Sequence, residues 1–146
     1  MHLVENNILI PEMGRLLRGG QQVVFTPGGV SMRPFIEGGK DSVTLEYPAP
    51  DTIRVGDILL CRIGERYVLH RLIGIEGETL HLKGDGNITG GEYCHRDDVI
   101  GRVIAIRSPR GRQKRLTRGR LWHYLSPVRK YLLKVYRKLL KLKIDN

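Results

Sequence analysis

DILLCRIGERYVLHRLIGIEGETLHLK, residues 57–83, reads as three short strands in succession, and that reading decides the fold. The strands are expected over 57–63, 67–75 and 79–83. Gly64-Glu65 and Glu76-Gly77-Glu78 separate them as close turns. Working outward, further strands are expected over 23–25, 42–47 and 99–106, and Gly84-Asp85-Gly86-Asn87 supplies another turn. Many short strands joined by close turns define a mainly β protein with a coiled antiparallel, barrel-like sheet. At 146 residues, 40% of them apolar, the chain can bury one core and carry an appendage.

The chemistry-bearing residues lie in and before this run. FTPGGVSMRPFIEGGKDSVTL, residues 25–45, sets one serine, Ser31, in a tight turn between Gly28-Gly29 and Gly38-Gly39. A serine hydroxyl is a weak nucleophile at neutral pH and needs a base to take its proton. His70, on the expected strand 67–75, is a candidate for that base, since neutral imidazole titrates near pH ~6.5. A histidine base predicts activity rising through about pH 6–7. Ser42, Ser108 and Ser126 have ready structural readings, and a single strand histidine is by itself usually structural.

Five ordered blocks change that weighting. They are Ser31-Met32-Arg33-Pro34, Val55-Gly56-Asp57-Ile58, His70-Arg71, Lys83-Gly84-Asp85-Gly86-Asn87 and Val99-Ile100-Gly101-Arg102-Val103. Together they resemble the type I signal peptidase and LexA-like serine peptidase superfamily over roughly residues 21–106. His70 resembles the endoplasmic-reticulum and archaeal branch, which pairs serine with histidine rather than lysine. Gly29 and Val30 stand where signal peptidases often have serine and glycine, and here the block is closer to LexA-like peptidases. The resemblance implies Ser31 as nucleophile, His70 as general base and Asp85 as the acid that orients it, with Asp97 or Asp98 as alternative acids. It also implies an oxyanion donor in the Ser31 backbone N–H and a substrate-binding loop comprising Gly29, Val30, Met32 and Pro34. An extended peptide with small side chains near the scissile bond, bound as an added strand, is the implied substrate.

Charge divides the chain. Residues 1–106 hold 11 Lys and Arg against 14 Asp and Glu, a balance of −3, whereas residues 107–146 hold 14 against one, a balance of +13. Four regions follow: an N-terminal helix within 1–20, the peptidase-like domain 21–106, a basic linker 107–120 and a basic amphipathic helix in 121–146. In the first, Ile8, Leu9, Met13, Leu16 and Leu17 have helical spacing over 5–18, Pro11 suits a first turn, and Gly19-Gly20 ends the helix. In the last, Ser126 is the expected N-cap and Pro127 the first helical residue. Leu121, Leu125, Val128, Leu132, Val135, Leu139 and Leu142 form an apolar seam, and a helix over 127–143 is about 25 Å long. Arg129, Lys130, Lys134, Arg137, Lys138 and Lys141 fill the other face.

Three partners suit such a helix: an anionic membrane surface met through residues 121–143, the body or another helix, and nucleic acid. Tyr131 and Tyr136 border the seam instead of interleaving with the charges, which disfavours nucleic acid. No N-terminal stretch reads as a signal peptide or membrane span, so a cytoplasmic location, peripheral to the inner membrane face, is expected. Cys61 and Cys94 make no disulfide framework, and Cys61 reads as a buried small hydrophobe. His81, His95, Cys94 and Asp85 lack metal-site spacing, so neither metal nor cofactor is called for. The expected function is a serine endopeptidase acting on a specific peptide or precursor. The alternatives are an inactive peptidase fold serving as a binding module at a membrane surface and a self-cleaving regulator, the latter disfavoured because 30 residues before Ser31 are too few for a DNA-binding domain.

Overall fold

A computed structural model describes residues 3–87, 90–119 and 128–145. The protein is mainly β, with antiparallel strands in one sheet curled into a half-barrel and a helix at each end of the chain. Helix α1 spans Leu3–Arg18. The strands are β1 (Val23–Phe25), β2 (Ser42–Glu46), β3 (Ile58–Ile63), β4 (Arg66–Glu76), β5 (Thr79–Lys83), β6 (Glu92–His95), β7 (Val99–Arg107) and β8 (Gln113–Lys114), and helix α2 spans Arg129–Asp145. Across the sheet the order is β1-β2-β7-β3-β4-β5-β6, with β8 added to β7.

The central run folds as its turns dictate. Ile63 pairs with Arg66 across the Gly64-Glu65 loop, and Glu76 pairs with Thr79 across Gly77-Glu78, so β3, β4 and β5 form a meander of two tight hairpins. The β3 run Ile58-Leu59-Leu60-Cys61 is apolar throughout because both faces of that strand are covered. Ile58 and Leu60 enter a cluster with Ile10, Met13 and Leu17 of α1 and with Val43, Leu45, Val103 and Ile106. Leu59 and Cys61 enter a second cluster with Val68, Leu72, Leu80, Leu82 and Cys94. Leu59 and Leu60 are at most 2% exposed, and burial of each such leucine stabilises the fold by about 1.5–3 kcal/mol. Cys61 and Cys94 are free thiols in this second cluster, and a hydrogen bond to Cys94, followed by burial, pushes the Cys61 thiol pKa up.

Helix α1 ends at the double glycine. Gln21 N–H donates to the Leu16 carbonyl and Gly20 N–H to that of Leu17, with Gly20 at φ +91°, a left-handed closure that glycine adopts without a Cβ clash. The helix starts earlier than expected, and Pro11 lies in its interior instead of its first turn. Among the described residues, Ile10, Met13 and Leu17 are its buried apolar side chains, while Leu16, placed in the apolar set by spacing alone, is 42% exposed. Packing against the sheet chose the face, and it holds a helix through a proline that removes one backbone donor.

Two strands are additional to those expected. β6 is only four residues long and follows Gly90-Gly91, and β8 is a two-residue strand inside the segment read as a linker. That segment returns along the body. Lys114 Nζ lies 2.7 Å from Asp41 Oδ2, Arg118 donates to the Val55 carbonyl and to Asp57, and Gly119 is buried. Helix α2 covers 17 residues, the expected length, shifted to begin at Arg129. The expected caps Ser126 and Pro127 and the seam residues Leu121 and Leu125 lie outside the described residues.

Candidate active site

Ser31 is carried by a loop that closes on itself between β1 and β2. Gly39 N–H donates to the Pro27 carbonyl at 2.7 Å, and Asp41, 3% exposed, accepts the Glu37 N–H at 2.8 Å. Within the loop Met32 and Ile36 turn inward and join the first core cluster. Ser31, immediately before the first of these anchors, is half-buried on the turn. Arg33 and Glu37 form a bidentate ion pair, with Arg33 Nη2 2.7 Å from Glu37 Oε1. Pro34 follows a cis peptide bond in the same turn.

The Gly84-Asp85-Gly86-Asn87 turn braces this loop from below. Gly86 N–H donates to the Ser31 carbonyl at 2.7 Å. A Cβ on Gly84 would stand 2.4 Å from the Ser31 carbonyl oxygen and 3.2 Å from His70 Cδ2, so only glycine lets the two segments approach this closely. The turn therefore sets the height of Ser31 over β4.

His70 projects from β4, opposite Leu59 of β3, and is 6% exposed. Its Nε2 lies 3.1 Å from Ser31 Oγ, and its Nδ1 lies 2.8 Å from Glu92 Oε2. An ionised carboxylate only accepts, so the Nδ1 proton points to Glu92. That tautomer leaves Nε2 as the acceptor for the Ser31 hydroxyl, the arrangement a general base requires. Glu92 is the first residue of β6, opposite Leu82 of β5, the strand that pairs with both β4 and β6. Its carboxylate is 19% exposed, and the imidazole is 8% exposed. The chain Ser31–His70–Glu92 is thus shielded except where the serine opens onto a cleft of about 450 Å³. Ser31, His70 and Glu92 line it together with Gly28, Gly29, Met32 and the apolar side chains of Ile10, Phe25, Leu60 and Leu69.

The structure brings Ser31 and His70 together, as the blocks implied, and sets a different carboxylate beside the imidazole. Asp85 is fully buried and faces Arg71, also fully buried, through Nε at 3.0 and 3.1 Å and Nη2 at 2.7 Å. Arg71 Nη1 donates to the Gly56 carbonyl at 2.9 Å and to that of Thr117, and the guanidinium carbon lies 5.1 Å from the Phe35 ring centroid. This ion pair joins β4, the glycine turn, the loop before β3, the returning tail and the serine loop. Asp97 and Asp98 lie in a 3-10 turn spanning Arg96–Asp98. Asp98 accepts the His95 N–H at 3.0 Å, and Asp97, 89% exposed, sits 3.3 Å from His95 Nδ1. Gly29 and Met32 line the cleft. Val30, 54% exposed, and Pro34 stand on the loop beside it.

The Val30 carbonyl accepts from Arg33 and the Met32 carbonyl from Phe35 and Ile36, whereas no described residue accepts the Ser31 N–H. His81 stacks on Tyr93 at 4.3 Å, and among the described residues no three His, Cys, Asp or Glu side chains converge as a metal site. Glu92 escaped sequence reasoning because it stands 22 residues from His70, after Gly90-Gly91, at the start of a strand too short to show alternation. The one available signal was an acid soon after the Lys83–Asn87 block.

No protein-family model matches the chain, and no curated protein matches it.

Proposed function

We propose that this protein is a serine endopeptidase in which Ser31 is the nucleophile, His70 the general base and Glu92 the acid that orients the imidazole. The reading includes membership of the signal peptidase and LexA-like superfamily, on the five sequence blocks. The observation that carries it is the continuous line from Ser31 Oγ through both nitrogens of His70 to Glu92, at 3.1 and 2.8 Å, opening on a cleft.

In the proposed reaction Ser31 Oγ attacks the scissile carbonyl carbon as His70 Nε2 takes the hydroxyl proton. The carbonyl oxygen becomes an oxyanion and is met by the Ser31 backbone N–H. Glu92 holds Nδ1–H throughout, which fixes the tautomer and stabilises the imidazolium that forms. When the tetrahedral species collapses, the C–N bond breaks and the amine leaves with the proton from Nε2. Water then cleaves the acyl ester by the same route, its proton passing through His70 back to Ser31. The apolar lining from Ile10, Phe25, Leu60 and Leu69 suits uncharged substrate side chains beside the scissile bond.

The test compares wild type, Ser31→Ala and His70→Ala in a peptide-library cleavage assay, with an acylating serine-hydrolase probe read by intact mass. Cleavage or acylation in wild type, lost in both variants, is the expected result. Equal silence of all three folded proteins in both assays would overturn the reading in favour of a binding module on the same fold.

A further inference from the structure

Helix α2 divides into three sectors at about 100° per residue. The first faces the body: Leu133 is 5% exposed, Tyr136 and Leu140 are half-buried, and the Tyr136 hydroxyl donates to Glu37 Oε2 at 3.2 Å. Arg33 adds its guanidinium 5.9 Å from the Tyr136 ring centroid. The second sector is apolar and turned away from the body. Val128, just before the helix, and Tyr131, Leu132, Val135, Leu139 and Leu142 within it are 39–60% exposed along this sector. The third is basic: Lys130, Lys134, Arg137, Lys138 and Lys141 are all exposed. Lys130 and Lys134 lean over the Tyr131 ring at 5.0 and 6.0 Å, joining the basic sector to the apolar edge. The residues that dock the helix are thus not the seam residues, and the seam is left open.

We infer that the exposed seam and its lysine border form a docking surface for an anionic lipid bilayer. Charge decides the occupant. Helix α2 holds no acid before Asp145, so its only complementary surface is a negative one. A second copy laid on the same seam would set two uniformly basic helices side by side, with repulsion at every flank. Nucleic acid would neutralise the lysines and leave six apolar side chains in water. A bilayer interface satisfies both sectors at once, since the seam enters the acyl boundary while the lysine stems run along it and their ammonium groups reach the lipid phosphates. Because Tyr136 holds the helix to Glu37, in the loop that carries Ser31, docking would also set the cleft beside the membrane surface. The inference does not rest on the peptidase reading, and its test needs no activity.

The experiment is sedimentation of the full chain with vesicles of phosphatidylcholine alone and with added phosphatidylglycerol, at low and high salt. Two variants accompany it: Leu132→Ser with Val135→Ser and Leu139→Ser, and Lys134→Ser with Lys138→Ser. Far-UV circular dichroism checks that both keep their fold, which is expected because every substituted side chain is exposed. Wild type should bind only the anionic vesicles and lose binding as salt rises. The lysine pair should weaken binding by roughly 30-fold, and the apolar triple variant should abolish it. No binding to anionic vesicles would overturn the inference. So would undiminished binding by the apolar triple variant, a dimer in ultracentrifugation that the same substitutions dissolve, or displacement from vesicles by duplex DNA at equal charge.

Discussion

At the scale of single residues, two carboxylates with different partners, Asp85 fully buried and Glu92 half-buried, make opposite predictions. Glu92 faces the imidazole that the proposed reaction would charge, whereas Asp85 neutralises Arg71 in a site with no exposure at all. Glu92→Gln keeps the shape but removes the charge that sets the tautomer of His70. It should lower kcat by roughly 10²–10⁴-fold with little change in KM or in unfolding midpoint. Asp85→Asn leaves the Arg71 guanidinium buried without its counter-charge and should cost about 3–5 kcal/mol of stability by urea unfolding. If Asp85→Asn unfolds like wild type and Glu92→Gln cleaves like wild type, the assignment of roles fails. Ser31 and His70 were legible in the sequence because each sits in a local block of residues. Glu92, the carboxylate beside His70, was not, because its place depends on two strand pairings, β4 with β5 and β5 with β6.

At the scale of elements, the hold of α2 on the body is concentrated in a few side chains and has a pH signature. Burial, and then the charge of Glu37, pushes the Tyr136 phenol pKa above its ordinary value. A raised pKa means that the folded form favours the protonated phenol, which is also the form that donates to Glu37. Its contribution is therefore complete below the ordinary tyrosine range near pH ~10 and is lost as pH rises through the higher folded value. Ultraviolet titration should show a late tyrosine ionisation, and Tyr136→Phe should remove that late step. The same helix shows why a pattern of 4 and 3 spacings identifies an amphipathic element without saying which side docks. Val128, Leu132, Val135, Leu139 and Leu142 keep that spacing, yet Leu133 and Tyr136 make the contact. In α1 the equivalent choice went to Ile10, Met13 and Leu17 because the sheet offers them Val43, Leu45 and Leu60.

At the scale of the whole molecule, residues 107–119 belong to the body. β8 extends the sheet beyond β7, Lys114 pairs with Asp41 at the base of the serine loop, and the Thr117 carbonyl accepts from Arg71. A chain stopped after residue 106 should lose several of these bonds, each charge-assisted one worth about 1.5–3 kcal/mol, and melt well below a chain stopped after residue 119. Thermal unfolding of the two truncations gives the comparison, and equal midpoints would return the segment to the status of a linker. No helix among the described residues is long and apolar enough to cross a membrane. The sequence by itself determined the local features: the positions of the two hairpin turns, the apolar run of β3, the glycine end of α1, and the serine and histidine in their blocks. Each depends on neighbours within a few positions, where backbone geometry and side-chain type suffice. Only the tertiary structure decided which carboxylate meets His70, that Asp85 belongs to Arg71, that the basic tail returns to the body, and which face of α2 stays open. Those outcomes depend on contacts between residues far apart in the chain, and strand pairing and the competition for buried partners settle them.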